Sequence, residues 1–303
     1  MSSIKTIDPN SISQPELHSY LLTSVAPRPI GFVSTIDSDG NVNLSPFSFF
    51  NVFSSNPPIM IFSPARGRNN MPKHSLQNVQ EVPEAVINIV DFPIVEQMSL
   101  SSTAYDKDVN EFVKSGLTQV PSEKVKPPRV GESPVSFECT IDRIIELGDG
   151  QGAGNLIMAK VELIHIQDQF LDEEGKLDPL KLDLVGRMGG SWYTRASNAS
   201  LFEIPKPIRT KGMGVDGLPS GIRNSPVLTG NNLGRLGNLE QLPTADEIDM
   251  VAKDDEIRMM QKKLNGNPQK LKKELHWLSQ RMLMDEQTEK ALAVLMYAEK
   301  LEA

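Results

Sequence analysis

Between Ile30 and about Phe170 the chain is a succession of short runs: IGFVSTI, VNLSPFSFF, PIMIFS, EAVINIV, PVSFECTIDRII and NLIMAKVELIHI. Their length and partial alternation suit strands, and turn residues separate them. This spacing predicts a core that is mainly β. Asp39-Gly40 lies between the first two runs, where glycine takes a positive φ at little cost, so these two should pair as a hairpin. GDGQGAG at 148–154 separates the last two in the same way. Antiparallel, meander-like pairing follows. VEQMSLSSTAY and DKDVNEFVKSG, between the strand runs, read as short helices packed on one side of the sheet or barrel.

The chain has 303 residues, 39% of them hydrophobic, which is enough to bury a core. Its net charge of -8 argues against nucleic acid or an anionic membrane surface as partner, since both need clustered Lys and Arg. No run of about 18 apolar residues is present to span a bilayer, and MSSIKTIDPNSISQ lacks the features of a secretory signal. The single cysteine, Cys139, excludes an internal disulfide, so a cytoplasmic location is expected. Cys139 sits within a strand-like run with no flanking base, which favours a packing role over a nucleophilic one.

Residues 205–243 are crowded with Gly, Pro and Asn and show neither helical nor strand period, so they read as an extended linker or arm. After them Thr244 and Glu247 form a capping-box pair, and Asn267-Pro268 fits a second helix start. Stripes through Leu271, Leu275, Leu278 and Met282, and through Leu292, Leu295 and Met296, complete a helical extension. The expected organisation is a domain over 1–204, a linker over 205–243 and a helical extension over 244–303.

Three motifs bear on chemistry. Gly212-Met213-Gly214-Val215-Asp216-Gly217 matches G-x-G-x-x-G but lies in a proline-rich segment, without the preceding strand and following helix a dinucleotide site requires. His18, His74, His165 and His276 are far apart and show no metal-ligand spacing. PARGRNNMPKHSLQN at 64–78 gathers Arg66, Arg68, Lys73 and Ser75 in a turn-rich stretch ahead of a helix start, a donor set suited to phosphate. SPFSFFNVFSSNPP at 45–58 interleaves four phenylalanines with short polar residues; Phe47, Phe49 and Phe53 can face a core, and Phe50 breaks the alternation.

The stretch APRPIGFVSTIDSDGNVNLSPFSFFNVFSSNPPIMIFS, followed after an arginine by Lys73-His74-Ser75, resembles the flavin reductase-like family of FMN-binding split β-barrels, the group that includes flavoredoxin. His74 stands where the family commonly has Asp. The likeness continues through residues 161–195 and covers about the first 200 residues. It implies a six-stranded Greek-key barrel with short peripheral helices, a homodimer, and FMN in a cleft at or near the dimer interface. Carried over by position, Ser34 and Thr35 would lie along the flavin, and Ser48 and Phe49 would meet the ring chiefly through backbone. Asn51 and Ser54 would line the ribityl side, while Ser63, Arg66, Lys73 and Ser75 would hold the phosphate.

His165, Arg187, Gly189, Gly190 and Tyr193 resemble positions around the open flavin face, where a nicotinamide or another acceptor could stack. The implied activity is hydride transfer from NADH or NADPH to flavin. The alternatives are an electron carrier of flavoredoxin type, fed by a redox protein partner, or a flavin-binding protein without enzymatic activity.

Overall fold

The computed structural model describes residues 4–67, 70–204, 210–264 and 266–301. The chain divides into two compact units, Met1–Phe202 and Glu203–Ala303.

The first unit is built on a seven-stranded antiparallel sheet. Its strands are β1 (Gly31–Ile36), β2 (Val42–Phe47), β3 (Phe50–Ser55), β4 (Pro58–Phe62), β5 (Glu84–Ile89), β8 (Val135–Glu146) and β9 (Asn155–Ile166). Short pairs β6 (Gln119–Val120) with β7 (Arg129–Val130), and β10 (Val185–Arg187) with β11 (Tyr193–Arg195), stand apart from it. The strand order is β2-β1-β5-β8-β9-β4-β3. β2 and β3 occupy opposite ends of that order, yet only Ser48 and Phe49 join them. Two residues cannot bridge a flat sheet, with strands about 4.8 Å apart, so the sheet curls until its ends meet, as a barrel split at this junction.

Both sequence-predicted hairpins form. Gly40, at φ 85°, turns β1 into β2, and Gly152, at φ 81°, lies in the loop between β8 and β9. The six strand-like runs become seven strands because VNLSPFSFF is broken at Ser48-Phe49. That break also changes which phenylalanines are buried. Phe47 and Phe50 pack inside, whereas Phe49 is 42% and Phe53 64% exposed, contrary to the alternation read from the sequence. The side-chain period restarts where the chain passes from β2 to β3, and an irregularity between Val52 and Ser54 shifts it again. Gly31 leaves room for this packing: a Cβ there would sit 2.9 Å from the Phe50 ring.

Inside the barrel, Val33, Phe47, Phe50, Phe62, Ile87, Cys139 and Ile157 form one core, closed by Leu76 and Val79 of α2 (His74–Glu81). Cys139 is fully buried, and burial pushes its thiol up, away from the reactive range. A second core on the other sheet face joins Phe32 and Leu44 to Met98 of α3 (Val95–Ser101) and Phe112 of α4 (Glu111–Ser115). Glu111 reaches from α4 to accept the Leu44 backbone N–H at 2.9 Å, pairing a donor of an end strand. An N-terminal helix, α1 (Gln14–Ser24), completes the unit.

The second unit is helical: α5 (Ser220–Arg223), α6 (Gly230–Gly237), α7 (Ala245–Val251), α8 (Asp255–Lys263), α9 (Pro268–Met284) and α10 (Thr288–Lys300). Thr244 and Asn267 cap α7 and α9 with their side chains. The segment read as an extended arm is folded over residues 210–243. Leu218, Ile222 and Leu236 are buried with Leu275, Leu292 and Leu295 in one core. Gly212 and Gly237 serve close backbone approach: a Cβ on Gly212 would meet the Gly237 carbonyl at 2.5 Å, and one on Gly237 would meet Gly214 at 2.8 Å. This close packing accounts for the G-x-G-x-x-G pattern. Residues 205–209 lie outside the described residues.

Candidate functional site

Several of the sequence-predicted cofactor residues fall on the loop that leaves β4 and on the start of α2. Ser63 is buried, with its backbone N–H on Phe49 O at 2.9 Å. Gly154 of the β8–β9 loop lies against it, where a Cβ would come within 2.8 Å of Ser63 Oγ. Arg66 is fixed by backbone bonds to that same loop, from its N–H to Ala153 O and from Gly152 N–H to its own carbonyl. Its Nη2 lies 3.2 Å from Glu146 Oε2, but its Nε is buried and has no hydrogen-bond partner among the described residues. Such a donor is costly unless an acceptor arrives. Arg68 lies outside the described residues.

At the head of α2, Lys73 is the N-cap and gives no side-chain cap bond. Leu76 and Gln77 N–H both turn to Lys73 O, leaving the N–H groups of His74 and Ser75 without acceptors among the described residues. Ser75 is buried and its Oγ accepts from Asn43 Nδ2 at 2.9 Å. Lys73 itself is exposed. Serine hydroxyls, a helix start and a guanidinium with an unspent donor make a set that fits a phosphate ester.

The other predicted contacts divide. Ser34 and Thr35 are fully buried and committed within the chain: Ser34 Oγ donates to Pro128 O, and Thr35 Oγ1 accepts from Asn78 Nδ2 at 3.1 Å. Ser48 and Phe49 form the break between β2 and β3, and Phe49 meets His18 of α1 edge-on at 6.5 Å. Asn51 is exposed with its Oδ1 on Val52 N–H, and Ser54 Oγ accepts from Asn56 N–H.

Ser48 leads to a residue the sequence reading overlooked. Arg28 is buried and donates to Ser48 Oγ at 3.4 Å, Leu22 O at 2.5 Å, Val25 O at 2.7 Å and Met188 O at 3.1 Å. It thereby ties the C-terminal end of α1, the β2–β3 break and the turn after β10 together. Burial, and then the nearby Arg187 charge, lower its affinity for its proton. The helix C-terminus compensates part of that charge. Arg28 stood within the quoted APRPI, where its four-acceptor setting has no local signature. Arg187 stacks on Tyr193 at 4.6 Å, and Gly189 packs against Thr23, so these nicotinamide-side candidates do assemble beside α1.

His165 does not join them. It projects from β9 toward Glu138 of β8, with Nε2 2.6 Å from Oε1. Glu138 is fully buried; burial raises its carboxyl, and the backbone N–H groups of Glu123 and Lys124, then His165, more than offset this and hold it below the usual range.

A groove of about 870 Å³ lies wholly in the second unit, between residues 238–243, α7 and α10. Its Asp254 and Lys290 pair with each other, and Glu247 is spent on the Thr244 capping box. Among the described residues no cluster of His, Cys, Asp or Glu suits a metal ion, and no helix is long and apolar enough to cross a membrane.

Residues 23–181 match the flavin reductase like domain. That is more than half of the chain. The protein belongs to the flavin reductase-like family. An uncharacterized protein of Aquifex aeolicus is 38% identical to it over 180 residues, covering 59% of this chain and 90% of its own. Among solved structures, nitrilotriacetate monooxygenase component B from Bacillus cereus is similar with a TM-score of 0.63 at 26% identity, covering 67% of this chain and 100% of that one. The 2-nitrobenzoate 2-nitroreductase NbaA of Pseudomonas fluorescens has a TM-score of 0.59 at 25% identity, covering 69% and 100%. The barrel is therefore the split barrel of this family, and the chain falls among flavin-linked oxidoreductases. The family match ends at residue 181, before the helical unit begins.

Proposed function

We propose that the chain binds FMN and transfers hydride from NADH or NADPH to flavin. The observation that carries this reading is the buried, unpartnered Arg66 Nε beside the loop bearing Ser63. With Ser63, Ser75 and Lys73 it would hold the FMN phosphate, the helix start of α2 adding two backbone donors. Ser34 would serve through backbone alone, since its hydroxyl donates to Pro128 O, whereas Thr35 Oγ1 accepts from Asn78 and keeps its own proton. Ser48 and Phe49 would border the ring, Asn51 and Ser54 the ribityl side.

When bound, FMN supplies a ring that accepts a hydride at N5. The chain's task is then positioning. Arg28 holds α1, the β2–β3 break and the turn after β10 in one arrangement, and a fixed arrangement of reactants lowers the barrier without a protein acid or base. Arg187 and Tyr193 would face the second substrate, and the cations beside them favour anionic groups on it. In this reading two copies associate, and the exposed Val52 and Phe53 of end strand β3 supply apolar surface for that contact.

Steady-state oxidation of NADH and NADPH with free flavin as acceptor tests the reaction. Turnover with either nicotinamide is expected. Tight FMN binding with no turnover would instead indicate an electron carrier of flavoredoxin type, fed by a protein partner.

A further inference from the structure

A second groove, of about 460 Å³, opens in the first unit between the β6–β7 pair and the ends of β8 and β9. Its size is within the range of small-molecule sites. Val120, Ile164 and Ile166 give it apolar walls, and Arg129 and His165 are among its polar lining residues. Most of its remaining polar side chains are spent internally. Asn88 Oδ1 accepts both Val130 N–H and the Ser136 hydroxyl, at 3.0 and 2.8 Å. Gln167 Nε2 donates to Gly131 O and Ser133 O, and its Oε1 accepts from Gln169. The Ser133 hydroxyl is shared between Ile89 O and Val135 O. These bonds fix the groove's shape.

Arg129 directs Nε and Nη2 to Pro121 O, at 3.3 and 3.1 Å, which leaves Nη1 without a partner among the described residues. His165 gives Nε2 to Glu138, and its Nδ1 makes no hydrogen bond among the described residues. Glu138 is itself held by the backbone N–H groups of Glu123, Lys124 and Val125, so its charge is satisfied inside the protein. The Arg129 guanidinium is thus the cationic donor that the lining leaves unspent, and the walls are apolar.

We propose that this groove binds a small organic carboxylate, its anionic end on Arg129, beside His165, and its apolar body against Val120, Ile164 and Ile166. The site is separate from the residues assigned above to FMN and does not depend on that assignment. The pairing is complementary: a charge-assisted bond supplies orientation, and the apolar walls discriminate against ions that have no hydrocarbon body.

The test is a titration of the full chain with benzoate, following the ring signals of its four histidines by NMR, with His165 assigned from His165→Gln. Saturable movement of the His165 signals is expected. Arg129→Gln should weaken benzoate about tenfold or more, the lower range for a hydrogen bond to a charged group, while FMN content stays unchanged. Arg129 lies outside the strands of the main sheet, so this variant keeps the test open should His165→Gln fold poorly. Inorganic phosphate should bind at least tenfold more weakly than benzoate. The proposal is overturned if benzoate leaves His165 unmoved, if Arg129→Gln binds it as well as the unsubstituted chain, or if phosphate competes on equal terms.

Discussion

Arg66→Met separates a phosphate-holding arginine from a merely structural one, because the two roles predict opposite effects. Methionine keeps most of the apolar stem and removes the guanidinium. In the flavin-free protein two contributions change. The ion pair to Glu146 is lost, but Glu146 is half exposed, so this costs only about 0–1 kcal/mol. The buried, unpaired Nε–H is also removed, which relieves a desolvation penalty on the order of 1–3 kcal/mol. The flavin-free variant should therefore melt at the same temperature as the unsubstituted protein or slightly above it. With FMN the balance reverses. Losing a charge-assisted contact to phosphate costs about 1.5–3 kcal/mol, a rise in the dissociation constant of roughly 10- to 150-fold. Quenching of FMN fluorescence on titration into apoprotein gives the affinity, and thermal unfolding without flavin gives the stability. An FMN affinity within about twofold of the unsubstituted protein, or a flavin-free variant that melts several degrees lower, would refute the assignment.

Two further predictions concern the fold. Burial raises the Asp91 carboxyl to about 6, against backbone N–H groups that pull it down, and its Oδ1 has no hydrogen-bond partner among the described residues. The folded state then holds this proton more tightly than the unfolded state does, so the contribution is present below about 4 and is lost as pH rises through about 6. Asp91→Asn should remove about 3 kcal/mol of that decline, read from urea unfolding at a series of pH values; an unchanged slope would show that Asp91 is not the group responsible. Ile222→Ala should cost the helical unit about 2–5 kcal/mol in thermal or urea unfolding, whereas the same change in an extended arm would cost almost nothing.

How much the sequence shows in advance depends on how local the determinant is. The β1–β2 hairpin is legible because Asp39-Gly40 fixes a turn between two runs, and the caps at Thr244 and Asn267 are legible because both partners lie within one helical turn. The phenylalanines of 45–58 are not. Their exposure is set by a break at Ser48-Phe49 that exists because the sheet must close on itself, and closure depends on pairings up to about 100 residues away. Residues 210–243 mislead for a different reason: Gly212 and Gly237 look like linker glycines, yet they permit backbone contact. In the candidate site, the phosphate-type donors of 63–75 are visible as a composition, and the unspent Arg66 Nε is visible only in three dimensions. Arg187 and Tyr193 come together as one pair of the short β10–β11 ladder, while His165 is drawn away by Glu138 on the neighbouring strand, a partner 27 residues distant that no spacing rule flags.

The central claim is that this split barrel holds FMN and passes to it the hydride of a nicotinamide. The visible spectrum of the purified protein, recorded before and after anaerobic addition of NADH and then NADPH, tests it most directly. A flavin band that belongs to FMN and is bleached by at least one of the two nicotinamides is expected. A colourless protein that takes up no added FMN, or a bound flavin that both nicotinamides leave oxidised, would contradict it.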